Sequence, residues 1–280
     1  MTDSTIAHPG FAAARGISAI DMLATYVRHL LWRHSRGVIF WTIGVTVYSA
    51  LMILSFPAFE ESGSLDVSQY PEAVREAFNL ESLSTIEPFL SSQLFNFLPL
   101  VLMFIPITAF AGAIVGAEER GALDVLFGTP LPRPVYVIAY WVAVATLMLL
   151  MLLTLGIGSW IAAVAIDVDL GLGESLLASL NVFPITMAAG SIGLALSAAV
   201  RVRGVAIGVP VALMFLMYLL DILGKLVDEL EPFRNLSFFK AYGDALQDGM
   251  PWGGAAVLLV IAVALGALAI PLFQRRDIYA

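Results

Sequence analysis

The sequence predicts an all-α membrane protein with six transmembrane helices, and three observations carry that prediction. First, 60% of the 280 residues are hydrophobic, 13% are charged and the mean hydropathy is +0.90. So apolar a chain lacks the polar surface that a water-soluble globule needs. Second, the charges gather in short islands between uncharged runs. Residues 88–117 and 134–166 contain no Asp, Glu, Lys or Arg, and each run is long enough to cross a hydrocarbon core of about 30 Å. Third, the islands differ in sign. With the N-terminus inside, ten basic residues face the cytoplasm, Arg15, Arg28, Arg33, Arg36, Arg120, Arg133, Arg201, Arg203, Arg275 and Arg276, against six acids, a net of +4. The outer segments hold Arg75, Lys225, Arg234 and Lys240 against 15 acids, a net of −11, with Asp221 close to a span end. Positive charge stays on the cytoplasmic side, so both termini are expected there.

Taken in order, residues 1–36 form a cytoplasmic N-terminus. From Ser18 to Arg36 an amphipathic helix is expected, either interfacial or an ordinary positive-inside anchor: Ser18 and Asp21 make a capping box, and Ile20, Leu23, Ala24, Val27, Leu30 and Leu31 recur at helical spacing. Arg28, Arg33 and Arg36 project elsewhere, as suits a helix on the inner leaflet. Four arginines and no short apolar core in this region argue against a secretory signal.

The first span is placed at 37–59, ending at Pro57, Glu60 and Glu61. Residues 60–87 read as an acidic external loop, with Pro71 to Phe78 as a candidate short surface helix. The second span, 92–116, follows Pro88 and ends in a GxxxG at Gly112 and Gly116.

The third, 135–166, lies in an uncharged run of 33 residues that would reach roughly 50 Å as a helix. It must therefore tilt, break near Gly156 and Gly158, or extend beyond the membrane. Asp167, Asp169 and Glu174 mark a tight external turn before the fourth span, 175–200. Arg201-Val202-Arg203 is so short that the fourth and fifth spans must be antiparallel neighbours. The fifth, 204–224, opens with a second GxxxG at Gly204 and Gly208.

In 225–252, Phe233, Leu236, Phe238, Phe239 and Leu246 are interrupted by Pro232, Asn235 and Gly243. This segment forms either short external re-entrant helices or a loop packed on the outer helix ends. The sixth span, 253–273, is held by Arg275 and Arg276.

One island is unlike a bare hairpin. In Gly116–Pro134, Glu118, Glu119 and Asp124 fall on one side of a short helix and Leu123, Leu126 and Phe127 on the other, before Gly128, Pro130 and Pro132 stop it. So short a helix needs a surface to lie on. Three acids against Arg120 and Arg133 leave two readings, an interfacial turn or a docking element for a soluble partner.

The run Glu118-Glu119-Arg120-Gly121-Ala122-Leu123, then Leu126, then Pro130-Leu131-Pro132-Arg133, resembles the first cytoplasmic loop of ATP-binding-cassette type-2 transporter permeases. It departs from that pattern at Pro132, where Ser or Thr is usual, and at Tyr140, where Lys often sits. Phe273-Gln274-Arg275-Arg276-Asp277-Ile278 is similar to the family's ending, and Leu236-Ser237-Phe238-Phe239-Lys240 to its external segment. The resemblance implies that the loop is a coupling helix docking into an ATP-binding subunit through Glu118, Glu119, Gly121, Leu123, Leu126 and Arg133. It further implies a non-catalytic permease subunit of an exporter in the prokaryotic cytoplasmic (inner) membrane. Its partners would be the ATP-binding subunit, a second permease copy in a homodimer or heterodimer, and the lipid bilayer, with no nucleic acid. The first, second and fifth spans would line the path.

Several chemistries are missing. His8, His29 and His34 all precede the first span, which leaves no intramembrane haem pair, HExxH or Ser–His dyad. There is no Cys for a disulfide, thiolate metal site or nucleophile. Gly224-Lys225 lacks the spacing of a Walker A loop, so no cofactor is expected on this chain and any ATP would be bound by a partner. Within the spans only Asp221 is ionisable, and it pairs by spacing with Lys225. Asn96, Thr108, Thr154, Asn181, Thr186 and Ser191 read as interhelical hydrogen-bonding groups, and Ala189, Gly193 and Ser197 as a close-packing stripe.

Spans this bare of charge suit a hydrophobic or amphipathic substrate, held by aromatic and aliphatic side chains; the spans offer Trp41, Tyr48, Phe95, Phe97, Phe104, Phe110, Trp141, Phe183, Phe215 and Tyr218, most of which read as core or lipid-facing rather than pocket-lining. The alternative is a self-sufficient channel, facilitator or membrane assembly scaffold.

Overall fold

The computed structural model describes residues 18–61, 71, 72, 75, 85–123, 128 and 131–276. Most of the proposed surface helix Pro71–Phe78 falls outside them. Among the described residues there are helices and no strand. These are α1 (Ala19–Glu61), α2 (Ile86–Ala113), the short α3 (Val115–Glu118), α4 (Arg133–Val164), α5 (Leu172–Ala199), α6 (Arg203–Leu226), a 3₁₀ helix (Asp228–Leu236), α7 (Phe238–Tyr242) and α8 (Trp252–Gln274). Six of them, α1, α2, α4, α5, α6 and α8, are long and apolar enough to cross a membrane.

The bundle is built around α5, which packs against α2, α4, α6 and α8. Its sequence is apolar on every side, the signature of a helix surrounded by others. Small residues let the neighbours approach: Ala189, Gly193 and Ser197 are all buried inside this chain. A Cβ on Gly190 would lie 2.6 Å from Pro106 and one on Gly193 3.3 Å from the Ala206 carbonyl oxygen. By contrast, Gly204 and Gly208 of α6 and Gly112 of α2 have nothing within 4 Å of a built Cβ.

The expected interfacial helix and first span are one helix. α1 runs unbroken for 43 residues, about 65 Å. A lone glycine such as Gly37 costs a helix only about 1 kcal/mol, and both halves of α1 are held by α4. Near the start, Tyr26 packs on Tyr136 and Tyr140 with ring centroids 5.5 and 6.4 Å apart, and His34 meets Tyr140 edge-on. Farther along, the Ser49 and Ser159 hydroxyls are 2.7 Å apart in the buried seam.

The same pairing explains the length of α4, which does not break at Gly156 and Gly158. Those glycines are contact points. A Cβ on Gly156 would sit 3.0 Å from the Leu176 backbone, and one on Gly158 2.3 Å from Thr46. Ser175 Oγ donates to the Gly156 carbonyl at 2.8 Å.

α2 is less regular and begins at Ile86, earlier than the 92 read from sequence. Ser91–Phe95 forms a π turn, with Asn96 N–H donating to Ser91 O at 2.9 Å. Not every polar group expected to link helices does so. Thr108, Thr154 and Thr186 donate to carbonyls four residues back in their own helices. Asn181 Nδ2 does reach across, to Tyr242 O at 2.8 Å, and Trp141 Nε1 to Ser191 Oγ at 3.1 Å.

Between α6 and α8 the chain forms two short helices, the 3₁₀ helix and α7. Ser237 caps α7 by accepting from Phe239 N–H, and donates to Met217 O. Tyr242 OH donates to Phe95 O in α2, and Ser91 hydrogen-bonds Asp244. Asp221 has the expected partner Lys225 at 3.5 Å and a second, Arg234, at 3.2 Å.

The tightest approach lies here, where a Cβ on Gly254 would be 1.9 Å from the Ala241 carbonyl oxygen. Gly254→Ala should therefore cost about 1–3 kcal/mol, read as a lower thermal unfolding midpoint of the purified chain in detergent. Gly208→Ala, in mid-helix with open space around it, should leave that midpoint unchanged or raise it slightly, because alanine favours the helix by up to about 1 kcal/mol.

Candidate functional site

At one end of the bundle lie Arg28, Arg33, Arg36, Arg120, Arg133, Arg201, Arg203, Arg275 and Arg276, with the described residues of the island, 116–123, 128 and 131–134. The site begins as a problem of helix termination. Each α-helix leaves its last four carbonyls without partners, and here side chains from other elements take them up.

At the end of α2, Ala111 O accepts from Ser197 Oγ at 3.3 Å, Gly112 O from Arg120 Nη2 at 3.4 Å and Ala113 O from the Tyr136 hydroxyl. The first N–H of α3, on Val115, donates back to Ser197 Oγ at 3.1 Å. One serine thus bridges the break between α2 and α3.

At the end of α5, Arg276 Nη1 donates to Ser197 O and Val200 O, both at 2.8 Å. At the end of α8, Arg133 Nη1 donates to Phe273 O, Gln274 O and Arg276 O at 2.8–3.1 Å, with its guanidinium 5.3 Å from the centre of the Phe273 ring.

The acidic pair joins this frame. Glu118 Oε2 forms an ion pair with Arg276 Nη2, and Glu119 Oε1 accepts from Arg203 N–H, the first residue of α6. Burial pushes the Arg276 guanidinium down from its ordinary value, and the Glu118 carboxylate opposes that shift. The two adjacent glutamates therefore reach different helices, Glu118 serving α5 and α8 through Arg276, and Glu119 serving α6 directly.

Of the remaining residues singled out in the sequence, Gly121 is exposed with φ +64°, a left-handed turn that glycine adopts without strain. Leu123, expected on a docking face, is instead 2% exposed within this chain. Leu126 lies outside the described residues, as do Asp124 and Phe127. The structure brings Glu118, Glu119 and Arg133 into one frame and turns Leu123 inward. Sequence reading missed the role of Arg276, seen there only as an anchor. Its partner Glu118 is 158 residues away, so no local spacing could reveal the pair.

Two cavities open along α1, the smaller beside this frame and the larger farther from it. One, about 270 Å³, is lined by residues of α1, α2, α4 and α6, including His34, Trp41, Thr108 and Arg203. The other, about 460 Å³, lies between α1 and α2 and is lined by Phe40, Trp41, Tyr48, Gln93, Phe97 and Leu98 among others. Trp41 lines both.

A family model, described as the C-terminal domain of the multidrug efflux system permease Rv1217c, matches residues 27–274. The match takes in the island, both cavities and the frame apart from Arg276. No curated protein matches the chain.

The Arg276 side chain is 6% exposed and serves an acid and two carbonyls. Arg276→Gln should cost roughly 3 kcal/mol, because it strands a carboxylate and helix-end carbonyls, and should lower the unfolding midpoint by several degrees. Arg275→Gln, at an exposed neighbour, should change the midpoint little.

Proposed function

Since the chain belongs to the family of the Rv1217c multidrug efflux permease, we propose that it is the permease subunit of an ATP-driven exporter. In this reading it pairs with a second permease copy, each served by a separate ATP-binding subunit, in a prokaryotic cytoplasmic membrane. The basic end of the bundle faces the cytoplasm. The cargo is hydrophobic or amphipathic, in keeping with uncharged spans and the aromatic walls of the α1–α2 cavity.

The observation that carries the reading is the way the island grips the helix ends. Glu118 holds Arg276, which holds the end of α5, while Glu119 holds the start of α6. A force applied to the island reaches both helices through charge-assisted hydrogen bonds, without passing through flexible chain. Closure of two ATP-bound subunits against this loop would thereby bias the permease between inward and outward access. Among the described residues of the island, Glu119, Arg120, Gly121 and Ala122 offer an exposed surface for that contact, with Leu126 as a further contact in this reading. Leu123 supports the loop from inside.

In inside-out vesicles containing the complex, ATP should drive accumulation of a lipophilic fluorescent drug. Glu119→Lys removes a helix cap worth about 1 kcal/mol and reverses an exposed charge. It should leave the chain inserted yet lower drug-stimulated ATPase about tenfold, with weaker co-purification of the ATP-binding subunit. Drug movement that needs no ATP and no second subunit would overturn the reading in favour of a self-sufficient facilitator.

A further inference from the structure

Two residues on the wall of the smaller cavity each carry a buried polar atom with no partner among the described residues. Arg203 Nε and His34 Nε2 are both buried without a hydrogen-bond partner, and both residues line the 270 Å³ space. No ion pair joins Arg203 to a described carboxylate. The two nearby acids are engaged elsewhere, Glu118 with the Arg276 side chain and Glu119 with the Arg203 backbone N–H. Thr108, also on the lining, already gives its proton to Phe104 O at 2.6 Å. The rest of the wall includes Val38, Ile105, Val144 and Leu147. A half-buried guanidinium against apolar walls is costly unless an anion meets it, and those walls strengthen the attraction for an anion that does.

The neighbouring cavity has the opposite character. Its 460 Å³ are walled mainly by Phe40, Trp41, Tyr48, Phe97 and Leu98, with Gln93 the one amide side chain. Trp41 lines both spaces, and their linings follow one another along the same stretches of α1 and α2.

We propose that the two cavities form one binding site for an anionic amphiphile, its phosphate or carboxylate head held by Arg203 and His34 and its hydrocarbon in the aromatic groove between α1 and α2. The proposal rests on the reading of the chain as a permease for amphipathic cargo and narrows that class by charge. Arg203 donates in a fork that fits the oxygens of phosphate or carboxylate. His34 Nε2 donates in the tautomer that carries its proton there. A cationic head would meet the guanidinium as a like charge and is excluded.

The test uses the full chain in phosphatidylcholine nanodiscs, without nucleotide or the ATP-binding subunit, so its outcome is independent of whether ATP drives export. Hexadecyl phosphate, hexadecanol and inorganic phosphate are titrated, and bound ligand is measured by native mass spectrometry. Hexadecyl phosphate should bind saturably and at least about tenfold more tightly than hexadecanol, with inorganic phosphate weaker still. Arg203→Gln should abolish most of the preference for phosphate over alcohol, whereas Trp41→Ala should weaken both long-chain ligands together. His34→Gln, which leaves the α6 terminus untouched, should reduce the phosphate preference in part and guards against a folding defect in the arginine variant. Equal affinity for the phosphate and the alcohol, or an unchanged preference in both Arg203→Gln and His34→Gln, would sink the proposal. Displacement of hexadecyl phosphate by phosphatidylglycerol assigns the site to the bilayer's own anionic lipid. Resistance to that displacement assigns it to a single-chain amphiphile, and either result supports the site.

Discussion

The constraint on which this molecule depends is that a peptide carbonyl at a helix end must find a donor, and in a bundle surrounded by lipid the protein has to supply it. Among the described residues of the basic end, the donors are few and specific. Ser197, Arg120 and Tyr136 serve the close of α2, Arg276 serves α5, and Arg133 serves α8. Each donor comes from a different element than the carbonyl it serves, Arg120 reaching back to α2 from the island. The ends are therefore tied by cross-links of about 3 Å rather than by capping within each helix, and the short island becomes structurally continuous with four long helices.

Much of the fold was legible in the sequence for a plain reason: charge is too costly in hydrocarbon to be scattered, so its absence over 20 or more residues reports a span. That signal yields the six long apolar helices and says little about where they start. α1 and α2 both begin before the uncharged stretch assigned to them. A helix can carry Arg28, Arg33 and Arg36 outward while packing Tyr26, Leu30 and His34 on α4, and nothing in the hydropathy of a single segment reveals that support. The glycines show the same limit. Gly156 and Gly158 read as a potential break and turn out to be contact points, because a glycine's meaning depends on what stands opposite it.

The site was legible only in its residue types. Glu118, Glu119 and Arg133 stand out as charges between two apolar runs, but their partners come from residues 203 to 276, beyond any local pattern. Leu123 illustrates the converse. At helical spacing an apolar face can meet a foreign surface or its own bundle, and only the fold distinguishes them. Here Leu123 is turned inward, and the outward positions are the polar and small ones.

Arg203 has two faces, its backbone N–H holding Glu119 and its side chain lining the cavity beside His34. Whatever shifts the first turn of α6 alters both at once. Thermodynamic linkage is reciprocal. If a molecule beside the guanidinium changes how firmly the island is held, then a protein that grips the island changes the retention of that molecule by the same factor. Occupancy of the cavity and the hold on the island would then meet at one residue, with no conformational signal longer than a single helical turn between them.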